Sequence, residues 1–393
     1  MTRFASAEAA ARELARAVER EEFAGWDPYD ALSSPLLGRL AGTPSLRQLA
    51  IQAVKGLPFN IRPALGIPRR EHTKALALFA SAYARLASLG DTDAATLART
   101  LAERLEGRAI ESNGGLGWAY DFDVQTRWAY YRRDQPNAVI TAFAAHALLD
   151  VAELGEDRFR ETVARTLEYA RSLLVERPEG SFFAYFGGSR TPIHNANLLV
   201  SSIFARARGH APDGNSSELD GAKAAVDFSL ERQRPNGSWP YGDGRRMSWT
   251  DGYHTAYILR SLAWWNGVAG APSVHAALSS GLDLYLTHLI DPDGAPRANL
   301  RVRYPIDIHA AGSAIWALSE LRDYDERALP TAERVIRWTL ANMRRPDGRF
   351  AFQRRRLLRN SVPYMRWSDG HMLLGLTSYL VASRPTPSPQ PES

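Results

Sequence analysis

The sequence contains no cysteine, which excludes disulfides, thiolate metal sites and thiol nucleophiles. That absence leaves the redox compartment open, because a cysteine-free chain survives either poise. Lysine is scarce too: Lys55, Lys74 and Lys223 are the only ones, so 45 of the 48 basic residues are arginine. With 43 acidic residues the net charge is a modest +5. No sustained basic stripe with interleaved aromatics is present, so no nucleic-acid partner is expected. The exception is Arg354-Arg355-Arg356, followed by Arg359, which reads as a solvated face, a set of carboxylate partners or a ligand contact. No window approaches 18 uninterrupted apolar residues, so no stable membrane insertion is expected. Met1-Thr2-Arg3-Phe4-Ala5-Ser6 opens straight into an Ala/Glu/Arg helical pattern, without the apolar stretch of a secretory signal. The expected location is cytoplasmic.

Strand-like alternation is scarce, and helical periodicity dominates what is there. The 393 residues are 45% hydrophobic and include 10 Trp, 15 Tyr and 14 Phe, enough aromatics to fill a core and still line a cleft. Apolar residues at three and four spacings predict helices over about 6–22, 44–55, 71–88, 92–107, 137–153, 156–174, 194–208, 218–233, 252–266, 273–289, 308–321, 330–343 and 369–382. The end, Arg384 to Ser393, alternates proline with polar residues and reads as a disordered tail.

An internal repeat organises these helices. Gly115-Leu-Gly-Trp118-Ala-Tyr120, Gly180-Ser-Phe-Phe183-Ala-Tyr185, Asn236-Gly-Ser-Trp239-Pro-Tyr241, Asp293-Gly-Ala-Pro296 and Asp347-Gly-Arg-Phe350-Ala-Phe352 share a turn glycine and, in four copies, an aromatic. Positions 118, 183, 239, 296 and 350 are separated by 65, 56, 57 and 54 residues. Five helix–loop–helix copies account for ten helices between about 71 and 343. Helix 369–382 then lacks a partner, which helix 6–22 supplies by closing a ring. The prediction is an all-α (α/α)6 toroid with short β-like loops at its mouth, one domain over residues 1–383.

A second regularity follows each loop. The next helices begin Gln135-Pro-Asn137, His194-Asn195-Ala-Asn197, Thr250-Asp251-Gly-Tyr-His254, Ile306-Asp307-Ile-His309 and Ser368-Asp369-Gly-His371. Asn or Asp in front of an apolar helix is an N-cap. The histidine two or three places on recurs after Asp251, Asp307 and Asp369. If these are the inner helices, their N-termini converge on one funnel with positive dipole ends.

The repeat, with Gln233-Arg-Pro-Asn-Gly237-Ser-Trp239, resembles the α/α-toroid superfamily, which includes polysaccharide lyases, toroidal glycosidases, the C-terminal domain of glucuronyl C5-epimerases, and terpenoid cyclases with protein prenyltransferases. Five further stretches resemble Vps-type proteins of exopolysaccharide-biosynthesis clusters. They are Gly25-Trp-Asp-Pro-Tyr-Asp30, Pro58-Phe-Asn-Ile-Arg62-Pro63, Gly117-Trp-Ala-Tyr-Asp121-Phe-Asp123, Trp249-Thr-Asp251-Gly-Tyr-His254 and Tyr364-Met-Arg366-Trp367. The likeness implies a toroid and a sugar substrate, not a particular reaction.

Three clusters are candidates for chemistry. Tyr120, Asp121, Asp123 and Arg127 form the densest polar run, and alternation puts the two carboxylates on one face for acid/base work. A salt-bridged loop is the alternative. Tyr364, Arg366, Trp367, Asp369 and His371, echoed by Trp249, Asp251, Tyr253 and His254, combine stacking rings with groups that bind sugar hydroxyls and carboxylates. His194, Asn195 and Asn197, like the Asn–His–Tyr set of toroidal lyases, suit neutralising a uronate carboxylate while its α-proton leaves. Asp121, Asp123, His254 and Tyr364 are the catalytic candidates. Tyr120, Arg127, His194, Asn195, Asn197, Trp249, Asp251, Asp307, His309, Arg366, Trp367, Asp369 and His371 are the binding candidates. Neither a metal nor a cofactor is expected, since each His–Asp spacing is ordinary first-turn geometry.

Three functions follow from these residues. The first is a carbohydrate-active epimerase, lyase or hydrolase that acts on an acidic sugar or oligosaccharide in glycan biosynthesis. The second is a terpenoid-cyclase-like enzyme, whose Asp-x-Asp-Asp acid is approached by Asp121-Phe-Asp123-Val124. The third is a non-catalytic glycan-binding protein.

Overall fold

A computed structural model describes residues 3–209 and 219–384. Residues 385–393, most of the expected proline-rich tail, lie outside the described residues, as does the first residue of the expected helix 218–233. In chain order the α-helices are α1 (Arg3–Arg20), α2 (Pro35–Leu40), α3 (Pro44–Gly56), α4 (Thr73–Ser88), α5 (Thr92–Glu106), α6 (Ala138–Ala152), α7 (Arg158–Ser172), α8 (His194–Gly209), α9 (Asp220–Leu230), α10 (Gly252–Ala269), α11 (Pro272–Leu284), α12 (Ile308–Glu320), α13 (Ala328–Met343) and α14 (His371–Ala382).

These helices form two concentric rings. Along the inner ring α4 packs on α6, α6 on α8, α8 on α10, α10 on α12, α12 on α14, and α14 back on α4. Each inner helix carries its outer partner: α5, α7, α9, α11, α13 and, beside α14, α1. This is the (α/α)6 toroid, with the first helix closing the ring against the last. Composition explains the sorting. Helix α6 is apolar all round, and every residue but Asp150 is buried, so it sits between neighbours on both sides. Helix α7 buries only the stripe Phe159, Thr162, Val163, Thr166, Tyr169 and Ala170, and its Arg and Glu residues face water.

The repeated loops fasten outer helices to inner ones. Trp118 Nε1 donates to the carbonyl of Leu105 (2.7 Å) and Trp239 Nε1 to that of Ser229 (2.8 Å). Each indole thus adds a second donor to a carbonyl in the last turn of an outer helix, α5 or α9, that already accepts from the backbone N–H of Arg108 or Arg232. The turn glycines Gly180, Gly237, Gly294 and Gly348 all have φ between +83° and +117°. A Cβ at Gly294 would sit 2.3 Å from the Arg334 carbonyl, so glycine is required there twice over.

Two departures from the expected helices matter for the site. The pattern over 369–382 begins as a π-helical turn, Met365–Gly370, before α14. A short helix, α2, precedes α3, and the pair stands beside the toroid rather than in either ring.

The two ends of the barrel differ. At the C-terminal ends of the inner helices, Arg85 of α4 pairs with Asp150 of α6 (3.0 Å) and Glu320 of α12 (2.7 Å). Arg206 of α8 pairs with Asp150 (2.6 Å), and Arg260 of α10 with Glu320 (2.7 Å). This ionic belt ties five of the six inner helices at that end. The other end is open.

Candidate functional site

The six inner helices start at the open end, around a cavity of about 190 Å³. The second residue of each of the first five lines it: Lys74, Val139, Asn195, Tyr253 and His309. The sixth position falls to Arg366, second residue of the π-helical turn. The connecting segments add the walls Tyr29, Tyr120, Trp128, Tyr131, Tyr185, Tyr241 and Trp249, and the π-helical turn adds Trp367. Among the described residues no Asp or Glu lines this cavity. The volume is well below the roughly 300–1,000 Å³ of drug-sized pockets, which suits a single ring.

At the floor, four inner helices meet through one hydroxyl. Tyr257 Oη lies 3.0 Å from His371 Nε2 and 3.3 Å from Lys74 Nζ, and is bonded to His309 Nε2 at a shorter distance. The network assigns the tautomers. His371 Nδ1 faces the Arg366 carbonyl at 2.9 Å, so it bears the proton and Nε2 is a lone pair. Tyr257 therefore donates to His371, and His309 Nε2–H donates to Tyr257. His309 Nδ1 is left as a buried lone pair with no partner. Burial, reinforced for His309 by His371 and for both by Lys74, holds both imidazoles well below the usual histidine range. Burial also lowers the Lys74 ammonium well below its ordinary value, with Arg366 acting in the same direction. Lys74 has no carboxylate within reach of a salt bridge among the described residues; its ammonium sits 3.8 Å over the Phe143 ring.

Close helix contact makes this floor. A Cβ on Gly312 of α12 would lie 2.6 Å from the backbone of His371, and one on Gly375 2.7 Å from the Gly312 carbonyl. With glycine at both places, α12 and α14 approach until the His309 and His371 rings are 3.8 Å apart.

Above the floor stands a His–Asp pair. Asp251 caps α10 by accepting from the His254 backbone N–H (2.9 Å), and its other oxygen is 2.8 Å from His254 Nδ1. The carboxylate fixes Nδ1–H, leaving Nε2 as the free lone pair. Trp367 and Tyr253 frame the approach. Trp367 Nε1 donates to Asp307 Oδ1 (2.8 Å), and Tyr253 stacks on His309 at 4.4 Å and 17°. Trp249 lies flat on Tyr241 (4.5 Å, 11°) and remains 37% exposed at the rim.

The expected site residues divide. His254, His309, Asn195, Trp249, Tyr120, Arg366 and Trp367 line the cavity. Asp251, Asp307 and His371 stand immediately behind it, on His254, Trp367 and Tyr257. Asn195 Oδ1 is buried without a partner. The others are occupied elsewhere. Asp121 accepts from the Thr73 backbone N–H and hydroxyl (2.8 Å each) and pairs with Arg108 (3.0 Å), so it caps α4. Asp123 does not share its face; it accepts from Tyr130 (2.8 Å) and the Arg133 N–H (3.0 Å) inside a hairpin. Arg127 is exposed at the tip of that hairpin. Tyr364 is buried against Phe352 and accepts from Arg62 (2.9 Å). His194 packs behind α8 on Ser229 (3.1 Å), and Asn197 bonds the Phe183 N–H and the Ala225 carbonyl. Asp369, expected at the mouth, turns away, and its Oδ2 accepts from Arg349 Nε and Nη2 (2.8 and 2.7 Å). Arg366 lines the cavity but is also held bidentately by the fully buried Asp27 (2.6 and 2.8 Å).

Lys74 and Tyr257 were missed as candidates, although one signal was available. Lys74, Asn195, Tyr253 and His309 share the second place of an inner helix. Only His309, which follows the capping Asp307, makes that register visible, and Tyr257 lies outside it.

No protein-family model matches this chain, and no curated protein matches it. Solved structures do resemble it. Cellobiose 2-epimerase from Bacillus thermoamylovorans B4167 superposes with a TM-score of 0.62 at 10% identity, covering 80% of this chain and 90% of its own. A GH76 α-mannanase from Bacteroides thetaiotaomicron gives 0.63 at 12% identity, covering 80% and 88%. An unsaturated glucuronyl hydrolase specific for heparin gives 0.56 at 12% identity, covering 78% and 85%. At these identities the likeness shows the fold: this chain is folded as an α/α toroid of the same kind as these proteins.

Proposed function

We propose that residues 1–383 act as one catalytic domain that epimerises or isomerises a sugar by moving a proton at the carbon next to a carbonyl or carboxylate group. The observation that carries this reading is the cavity's composition: imidazoles, tyrosines and one lysine, with no carboxylate on its wall among the described residues. Hydrolysis by the usual pair of carboxylates needs two such groups flanking the bond, and Asp121 and Asp123, the pair the sequence offered, are spent on α4 and a hairpin. The terpenoid-cyclase alternative loses its candidate acid in the same way. Solved toroids named as a cellobiose 2-epimerase, a sugar epimerase and a D-mannose isomerase support a sugar substrate.

In this reading a sugar ring, or its opened chain, lies against Trp249, Trp367 and Tyr253. His254, oriented by Asp251, removes the proton through Nε2. The charge that develops on the carbonyl oxygen is met by the Lys74 N–H donors, held in place on the buried floor by the Tyr257 hydroxyl. The chain Lys74–Tyr257–His309–His371 then returns a proton from the opposite side. Holding His309 and His371 neutral near pH 7 keeps them able to accept as well as donate. An acidic sugar is the favoured substrate, because a bound anion would hold the desolvated Lys74 amine in its ammonium form, whereas Arg366 already has Asp27. The test is a panel of uronic acids and neutral reducing sugars in D2O, followed by proton NMR. Deuterium entering the substrate supports proton abstraction, and an unsaturated product would instead assign the lyase version of the same step.

A further inference from the structure

Nine large apolar side chains are strongly exposed among the described residues, and seven fall in two short segments: Leu36, Leu40, Leu46, Leu49 and Phe59, and Leu357 with Leu358. Leu357 is 90% exposed at the tip of the 353–360 hairpin. Within α2, Leu36 and Leu40 are four apart, and within α3, Leu46 and Leu49 are three apart, so each pair shares a helix face. The opposite side of α3 buries Ile51 and Val54.

These segments are joined. Arg355 donates to the Gly56 carbonyl (3.1 Å), and Asn360 to those of Lys55 (3.3 Å) and Leu57 (2.7 Å), which seats the hairpin on the end of α3. Their charge has one sign. Residues 31–70 hold six basic residues and no acid, although Arg62 is buried on Asp30 and Arg69 pairs with Glu21, and 353–363 hold four arginines and no acid. Arg39, Arg354 and Arg356 make no ion pair among the described residues. Asp27 and Asp30 nearby are buried against Arg366 and Arg62, and Asp123 reaches the edge only through Tyr130. The face also adjoins the funnel. Lys55 donates to Tyr29 (2.7 Å), a wall residue, and Arg47 lies 4.4 Å over Tyr130, beside the wall residue Tyr131.

We propose that α2, α3 and the 353–360 hairpin form a docking surface for an anionic lipid bilayer, which holds the funnel mouth beside the membrane. Leucines and a phenylalanine on short elements, ringed by basic residues most of which have no acid partner among the described residues, are the chemistry that enters the headgroup boundary. A soluble partner of ordinary interface character would bring less one-sided charge, and a second copy of this chain would meet the same arginines with its own. The proposal stands apart from the sugar chemistry, since no docking residue belongs to the floor network.

The test is co-sedimentation of the full chain with vesicles of phosphatidylcholine alone and with about 30% phosphatidylglycerol. The anionic vesicles are expected to bind at least tenfold more tightly, and roughly 0.5 M NaCl should largely abolish the difference. Arg354→Glu with Arg356→Glu, and separately Leu357→Ser with Leu358→Ser, should each weaken binding about tenfold while leaving the circular dichroism and thermal midpoint unchanged. Equal binding to both vesicle types overturns the proposal, as does full binding by both variants. So does a result in which the leucine variant changes only the oligomeric state in sedimentation velocity, which would make the face a self-association surface.

Discussion

A single hydroxyl carries most of the argument at the residue scale. Tyr257→Phe removes the atom that joins Lys74, His309 and His371 and leaves the His309 Nε2–H without its acceptor. We expect about 1–3 kcal/mol of lost stability from that buried donor and a fall in kcat/KM of about 10²–10⁴. Near-normal turnover by a folded Tyr257→Phe protein would contradict the relay. His254→Asn should abolish turnover with smaller change in stability, since the ring is partly exposed. Asp121→Asn should do the reverse. It weakens the cap of α4 and the Arg108 pair, costing about 1–2 kcal/mol, and turnover should survive. Comparing kcat with thermal midpoints across the two variants separates an acid/base residue from a capping one.

Glycine decides how close the elements come. Gly312→Ala puts a methyl group against the His371 backbone, so α12 and α14 must separate. Overpacking of this kind costs about 1–3 kcal/mol. It should also lower kcat more than it raises KM, because the His309–His371 contact opens while the aromatic walls remain. The ring itself was legible in the sequence, because turn glycine and aromatic recur with the helices and the helical period is strong. Two of the four floor residues, Lys74 and Tyr257, were less legible. His371 and His309 showed themselves through repetition, but Tyr257 lies inside a helix, where an aromatic at helical spacing reads as core. Asp369 looked like a third cap and is instead Arg349's partner, because the π-helical turn moves the start of α14 past it. Asp121 and Asp123 alternate in sequence, yet the chain turns between them, and each finds a different backbone N–H.

Protonation couples the parts of the whole molecule. Burial lowers His72, His309 and His371 and takes His146 down to about 3, so the folded chain binds fewer protons than the unfolded chain in acid. Each such histidine stabilises nothing above its unfolded pKa of about 6.5 and opposes folding as pH falls below it. Stability should therefore decline from about pH 6.5 downward, by at most about 1.4 kcal/mol per pH unit for each histidine. His146→Gln should flatten that slope in urea titrations between pH 7 and 4; an unchanged slope would show that His146 is not among the groups responsible. At the closed end, Asp150 and Glu320 are lowered, burial raising them and their arginines more than offsetting it. Their contribution is present above the ordinary carboxylate range and is lost as pH falls through the folded values. Glu320→Gln should cost less than the roughly 3–5 kcal/mol of a fully buried broken pair, since its side chain keeps 27% exposure.

The central claim is that the open end of this toroid moves a proton on a sugar with His254 and the Tyr257 relay. Deuterium incorporation tests it most directly: the protein is incubated with uronic acids and reducing sugars in D2O, and the hydrogen next to the carbonyl or carboxylate carbon is followed by proton NMR. At least one sugar should take up solvent deuterium with its epimer or isomer appearing, exchange should be lost in His254→Asn, and it should slow by about 10²–10⁴ in Tyr257→Phe. Binding of a sugar in the cavity without any exchange, or exchange that survives both substitutions, would contradict it.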